Sequence, residues 1–156
     1  MTPSIIAAHA SPDQPGATFR ALDAALAETP GHILFTILVH DLDAGESQRV
    51  YSSHPAEYPV GGRKPVTDSA WMRRVVHNGE PWIGHDAHAI RGAFPDHATV
   101  LALGCESVLN MPVRWRGKTL ATVNLLHRAG HYSDAQLPPV SLLAHLALPA
   151  LMVSRG

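Results

Sequence analysis

Apolar positions along the chain change their spacing from segment to segment, and each change marks an element. Phe19, Leu22 and Leu26 stand three and four apart, which predicts a helix that ends before Pro30-Gly31. His32 to Val39 (HILFTILV) is rich in β-branched and aromatic residues and reads as a strand buried on at least one face. A polar turn at 41–45 leads into Ser47 to Ser53 (SQRVYSS), an alternating second strand. Residues 54–65 carry three prolines and two glycines and read as a loop. Asp68 is placed to cap a helix bearing Trp71, Met72, Val75 and Val76, which Gly79 stops. Pro81 to Gly84 is a short strand, and 85–104 holds another short helix, broken near Phe94-Pro95. Glu106 to Trp115 and Lys118 to His127 flank Arg116-Gly117 as a β-hairpin. Ser133 and Gln136 have capping-box spacing. The main terminal helix is expected to begin at Pro139, where a missing amide does no harm. Val140, Leu143, Ala147 and Leu151 line one side of it, and Pro149 should bend it. Residues 1–16, with Pro3, Pro12, Pro15 and Gly16, read as an irregular lead-in.

Paired strands interspersed with helices predict an α+β fold with an antiparallel sheet, not a doubly wound one. Residues 17–156 are expected to form a single domain standing alone. At 156 residues and 46% apolar composition, a chain can bury roughly 70% of its extended surface without disulfides or metal. Twelve basic residues against 13 acidic ones leave no basic excess for a nucleic-acid surface. No run approaches the ~20 apolar residues of a membrane span, and the N-terminus lacks a basic, then apolar leader. A lone cysteine, Cys105, excludes an intramolecular disulfide framework. A cytoplasmic location is therefore expected.

Glu106 to His127 (ESVLNMPVRWRGKTLATVNLLH), followed by Tyr132-Ser133-Asp134 and an apolar terminal helix, resembles the C-terminal half of GAF domains. A weaker likeness extends over 17–153. Ala121-Thr122 departs from it, since many members carry glycine there. The resemblance implies a central antiparallel sheet with terminal helices on one face. A pocket under loops and short helices occupies the other. It implies a small-molecule ligand, in a range covering cyclic nucleotides, bilins, haem, aromatic effectors and amino acids, and a possible homodimer through the terminal helices. Cys105 does not match the bilin attachment context, the cyclic-nucleotide signature is absent, and one cysteine cannot supply the sulfoxide reductases' intramolecular disulfide. No cofactor is expected.

Read as a type I turn with a G1 bulge, Trp115-Arg116-Gly117 would pair Val113 with Thr119, Leu109 with Val123 and Cys105 with His127. Those residues share one face, suited to the terminal helices. The opposite face then carries Glu106, Asn110, Thr122 and Asn124. Buried amides need partners, which a polar ligand, ordered water or one another would supply. Tyr58 could stack on a ligand and Lys64 pair with a carboxylate, or both could sit on a flexible surface loop. Trp71 could line the pocket or belong to the core. Glu106 could recognise an amine or act as a base, and His131 and Tyr132 could close one end.

Eleven histidines invite a catalytic or metal reading. His127 and His131 flank a turn, and His85 and His88 make a second loose cluster. Zinc needs three or four convergent ligands, and neither pattern supplies them, so no metal is expected. A thiolate at Cys105 activated by His127 is the sharpest catalytic idea, and a small buried apolar residue is the alternative. Two functions follow. The first is a sensory or regulatory domain holding a small polar or aromatic metabolite. The second is a small enzyme performing hydrolysis or proton transfer with Glu106, His127 or His131, or redox chemistry at Cys105.

Overall fold

A computed structural model of the chain describes residues 2–155, and the side chains of 4–153. Two helices open it, α1 (Thr2–His9) and α2 (Gly16–Glu28). Then come β1 (Leu34–Asp41), β2 (Glu46–Ser52), the short β3 (Arg63–Pro65), a π-helix (Met72–His77) and β4 (Trp82–Gly84). α3 (Ala87–Ala93), α4 (His97–Ala102), β5 (Ser107–Trp115), β6 (Lys118–His127), α5 (Leu137–His145) and α6 (Leu148–Arg155) complete it. The strands form one antiparallel sheet in the order β3-β2-β1-β6-β5-β4. The α+β architecture is as the apolar pattern predicts.

Alternation divides the sheet into two faces. Phe35 and Ile37 of β1, Leu109, Met111 and Val113 of β5, and Ala121, Val123 and Leu125 of β6 point to one side. There they meet Phe19, Leu22 and Leu26 of α2 and Val140, Leu143 and Leu151 of the terminal helices. The other face carries Leu34, Val108 and Leu126, under Ile90 of α3 and Val100 of α4.

Several expectations are corrected. The lead-in is not irregular throughout: residues 2–9 form α1, and Ile5 is fully buried in the main core. The loop 54–65 ends in β3, an edge strand, where Pro65 forfeits no shared ladder bond. The segment after Asp68 is a π-helix, with Asn78 N–H donating to Arg73 O at 2.8 Å. Its wider turn lets the adjacent Val75 and Val76 both be fully buried. Ser69 Oγ, not Asp68, accepts an amide at its start, that of Met72. The capping box at Ser133 and Gln136 forms, but it opens a 3₁₀ turn (Asp134–Gln136), and α5 starts at Leu137.

The hairpin register is also corrected. Ser107 faces His127, Leu109 faces Leu125, Asn110 faces Asn124 and Val113 faces Ala121. Each pairing lies two residues from the expected one. Arg116 (φ 54°) and Gly117 (φ 77°) are both left-handed, the backbone of a two-residue type I′ turn. An irregularity between Val113 and Arg114 then absorbs one residue. A shift of two preserves the faces, so the division of the strands into helix side and open side stands.

Candidate ligand pocket

The floor of the open face is a chain of hydrogen bonds across three strands. Asn124 Nδ2 donates to Thr36 Oγ1 at 3.1 Å and to Thr122 O at 3.4 Å. Asn110 Nδ2 donates to Asn124 Oδ1 at 2.7 Å, and Trp71 Nε1 donates to Asn110 Oδ1 at 2.9 Å. Unpaired, such amides would cost about 1–3 kcal/mol each. The sheet therefore carries its polar floor already satisfied, and Trp71 is fixed by its indole N–H. Thr122 sits deeper: its Oγ1 lies 3.2 Å from Nε2 of the buried His40, whose Nδ1 lies 2.6 Å from Ser47 Oγ. Burial, reinforced by the charge of His77, pushes the His40 pKa down to about 4.

Above this floor lies a cavity of about 380 Å³, inside the range of small-molecule sites. Thr36, Leu38, Ser47, Val108, Asn110, Asn124 and Leu126 line it from the sheet, Trp71 and Met72 from one side, and Phe94, Pro95 and Val100 from the helix side. Trp71 and Phe94 meet edge-on with centroids 5.6 Å apart, and Phe94 meets Trp82 the same way at 6.2 Å. Trp71 also lines a second hollow of about 280 Å³, shared with Arg74 and Trp82, so the partition there includes its indole.

One wall is charged. The Asp96 carboxylate, between α3 and α4, accepts a hydrogen bond from Tyr58 OH and one from Lys64 Nζ at 3.0 Å, and Arg49 Nη2 lies 3.5 Å away. Burial opposes the charge on Asp96, but the hydrogen bonds from Tyr58 and Lys64, with the charges of Lys64 and Arg49, outweigh it and hold its pKa below the ordinary value. Burial and the Asp96 bond push the Tyr58 phenol up, so it stays a donor. The Arg49 guanidinium carbon lies over the Tyr58 ring, 3.6 Å from its centroid, and Arg49 donates to Pro59 O at 2.8 Å. This wall fixes the loop that sequence alone left open: Tyr58 and Lys64 are anchored to Asp96.

Five of the residues named from the sequence as ligand contacts therefore border one cavity: Tyr58, Lys64, Trp71, Asn110 and Asn124. Thr122 underlies the floor without lining it. Glu106 does not sit at the mouth. It precedes β5, its amide bonds to His127 O, and its side chain is exposed outside the cavity. His131 and Tyr132 do not close the pocket, because the chain leaving β6 turns to the helix side. His131 Nε2 donates to Pro30 O at 2.7 Å, Tyr132 OH donates to Gly31 O at 2.8 Å, and the Tyr132 ring joins the main core.

The catalytic pairing of Cys105 with His127 does not form. Cys105 lies on the open side of the sheet, packed with Leu34, Ile90 and Val108, and burial pushes its thiol up to about 11. His127 instead stacks on His131, with ring centroids 3.7 Å apart and planes 8° from parallel. Among the described residues, no group of three His, Cys, Asp or Glu side chains is arranged to hold a metal ion.

Sequence reasoning missed Arg49 and Asp96. A β-bulge near Val50 lets both Arg49 and Ser52 face the open side while Tyr51 packs on the helix-side core. The charge in the middle of the otherwise uncharged stretch 47–53 was the available signal for Arg49. Asp96, next to a helix-breaking Pro95, carried none.

Known structures share this arrangement of strands, helices and hollow. The GAF domain of a phosphoenolpyruvate-protein phosphotransferase from Coxiella burnetii superimposes with a TM-score of 0.73 at 18% identity, covering 99% of this chain and 91% of that one. The chain has the GAF fold. The GAF domain of a Bacillus halodurans two-component sensor histidine kinase (TM-score 0.70, 12% identity, 87% and 92% coverage) shares it. So does a free methionine-R-sulfoxide reductase from Neisseria meningitidis in complex with its substrate (0.69, 15%, 97% and 86%). No family model and no curated protein matches the sequence. The GAF fold is thus shared by sensor modules and an enzyme, and the fold alone does not choose between them.

Proposed function

We propose that this GAF-fold chain is a sensory or regulatory domain that holds a small polar or aromatic metabolite in the cavity between the sheet and residues 58–104. The observation that supports this is the cavity itself: about 380 Å³, aromatic and aliphatic on its sides, with a self-satisfied polar floor and one charged wall. Mostly apolar pockets with a few convergent polar groups are the usual form of a ligand site. Similarity in fold to sensor-kinase domains supports the regulatory reading. The enzymatic alternative loses its named residues, since Glu106, His127, His131 and Cys105 do not converge on the cavity.

Native mass spectrometry of the purified protein, before and after denaturation, tests the proposal. A stoichiometric organic mass released on denaturation is expected. Turnover of a bound compound, abolished by a cavity substitution, would overturn the purely sensory reading.

Assembly and location complete the proposal. Ile6 of α1, Leu142 of α5 and Met152 and Val153 of α6 are exposed apolar side chains, at 53%, 62%, 47% and 64%. They support a homodimer through the terminal helices. Among the described residues no helix is long and apolar enough to cross a membrane. With one cysteine in the sequence, we place the protein in the cytoplasm.

A further inference from the structure

The charged wall of the cavity holds more positive than negative charge. One carboxylate, Asp96, is shared by the Lys64 ammonium, the Arg49 guanidinium and the Tyr58 hydroxyl. Of these, Tyr58, Lys64 and Asp96 border the cavity directly. Arg49 is 93% buried by its residual exposure of 7%, and its Nε has no hydrogen-bond partner. Its charge is therefore poorly screened by solvent, and it lies just behind the Tyr58 ring. Lys64 spends one of its three donors on Asp96 and is 41% exposed, so its ammonium can turn to a second acceptor. An incoming ammonium ligand meets the opposite situation: the wall sets two cations, Lys64 and Arg49, against one carboxylate, whose Oδ2 already accepts from Tyr58 and Lys64.

The rest of the cavity specifies the body of the ligand. Trp71 and Phe94 offer ring edges and faces, and Val108 and Leu126 an aliphatic base. Aromatic pairs gain attraction beyond the area they bury. An apolar cavity of about 150 Å³ takes one benzene ring, and this one is more than twice as large.

We propose that the cavity binds an aromatic monocarboxylate of about two fused rings, with Lys64 holding the carboxylate and Trp71 and Phe94 contacting the rings. The proposal rests on the cavity being a ligand site, and it adds the ligand's class.

The test is calorimetric titration of the intact protein with 1-naphthoate, 1-naphthamide and 1-naphthylmethylammonium, at fixed ionic strength. 1-Naphthoate is expected to bind about ten- to a hundredfold more tightly than the amide, the range for a hydrogen bond to a charged group. The ammonium compound should bind most weakly. Lys64→Met should reduce naphthoate affinity to that of the amide and leave the amide unchanged, while Lys64→Arg should retain most of the preference. Because Lys64 is partly exposed, both variants are expected to fold, and circular dichroism checks this. Equal binding of acid and amide, preference for the ammonium, or a preference that survives Lys64→Met overturns the carboxylate class while the cavity remains a ligand site. Binding of none of the three also overturns the class, and the native mass spectrum then decides separately whether the cavity is a ligand site.

Discussion

The two faces of the sheet are built from the same strands, in alternate residues, and they differ in almost every physical respect. The helix-covered face is a dry apolar contact: Phe35, Leu109, Val123 and Leu125 are fully buried against α2 and the terminal helices. The open face interleaves apolar residues with Thr36, Asn110, Thr122 and Asn124 and supports a cavity instead of a packed layer. The difference teaches where this fold keeps its stability and where it keeps its capacity to bind. Close packing leaves no room for a ligand, so the hollow side depends on hydrogen bonds and an anchored wall to keep its shape.

Neighbouring leucines on β6 break the comparison most directly. Leu125→Ala, on the packed face, is expected to cost about 3–5 kcal/mol, the upper part of the range for such truncations. Leu126→Ala should cost about 1–2 kcal/mol less, because Leu126 borders empty space already and loses fewer contacts. Urea denaturation of the two variants measures both, and equal losses would show that the faces are packed alike.

Acid should act on the open face through His40. Its folded pKa of about 4 lies below the ordinary 6.5, so the unfolded chain takes up the proton first as pH falls. The stability at stake is present above pH 6.5 and is lost as pH drops toward 4, up to roughly 3 kcal/mol. His40→Gln should be less stable at neutral pH and should lose less between pH 7 and pH 4.5, as followed by denaturation midpoints at each pH.

Asn124→Ala removes the centre of the floor and strands the Asn110 amide and the Thr36 hydroxyl, with an expected loss of about 1–3 kcal/mol. Leu substituted at both 110 and 124 should recover only part of that loss, since the Asn110 amide is no longer stranded but the Trp71 indole N–H and the Thr36 hydroxyl lose their partners. A double-mutant cycle gives the coupling, and additive losses would show that the two amides act independently.

The smallest expected effect is that of Lys64→Met on stability. A half-exposed ion pair contributes about 0–1 kcal/mol. The thermal midpoint should hardly move, which separates the role of Lys64 in binding from any role in folding.

The same contrast explains what could be read from the sequence. The apolar runs of β1, β5 and β6, the alternation in β2, and three-and-four spacing in α2 and α5 were legible directly, and the architecture followed from them. Asn110, Thr122 and Asn124 stood out as polar residues in apolar strands. Tyr58 and Lys64 were visible as candidates, but nothing local tied them to Asp96, which lies 32 residues beyond Lys64 in the chain. The misplacements of Glu106, His131, Tyr132 and Cys105 have one origin: they lie outside β5 and β6, where alternation no longer dictates direction. Ile5 was missed because a single buried side chain in a proline-bearing segment leaves no periodic signal.

The floor amides also settle a choice that burial leaves open. Sliding β5 by two residues against β6 would keep every apolar side chain on its proper face, so the hydrophobic pattern scarcely distinguishes the two alignments. It would, however, set Asn110 opposite Thr122 and separate it from Asn124. In the observed alignment the two amides stand directly opposite and hydrogen-bond, with Arg116-Gly117 closing the turn between their strands. A pair of asparagines under the cavity thus serves as a registration mark for the hairpin: it selects one of two otherwise equivalent pairings as the strands come together.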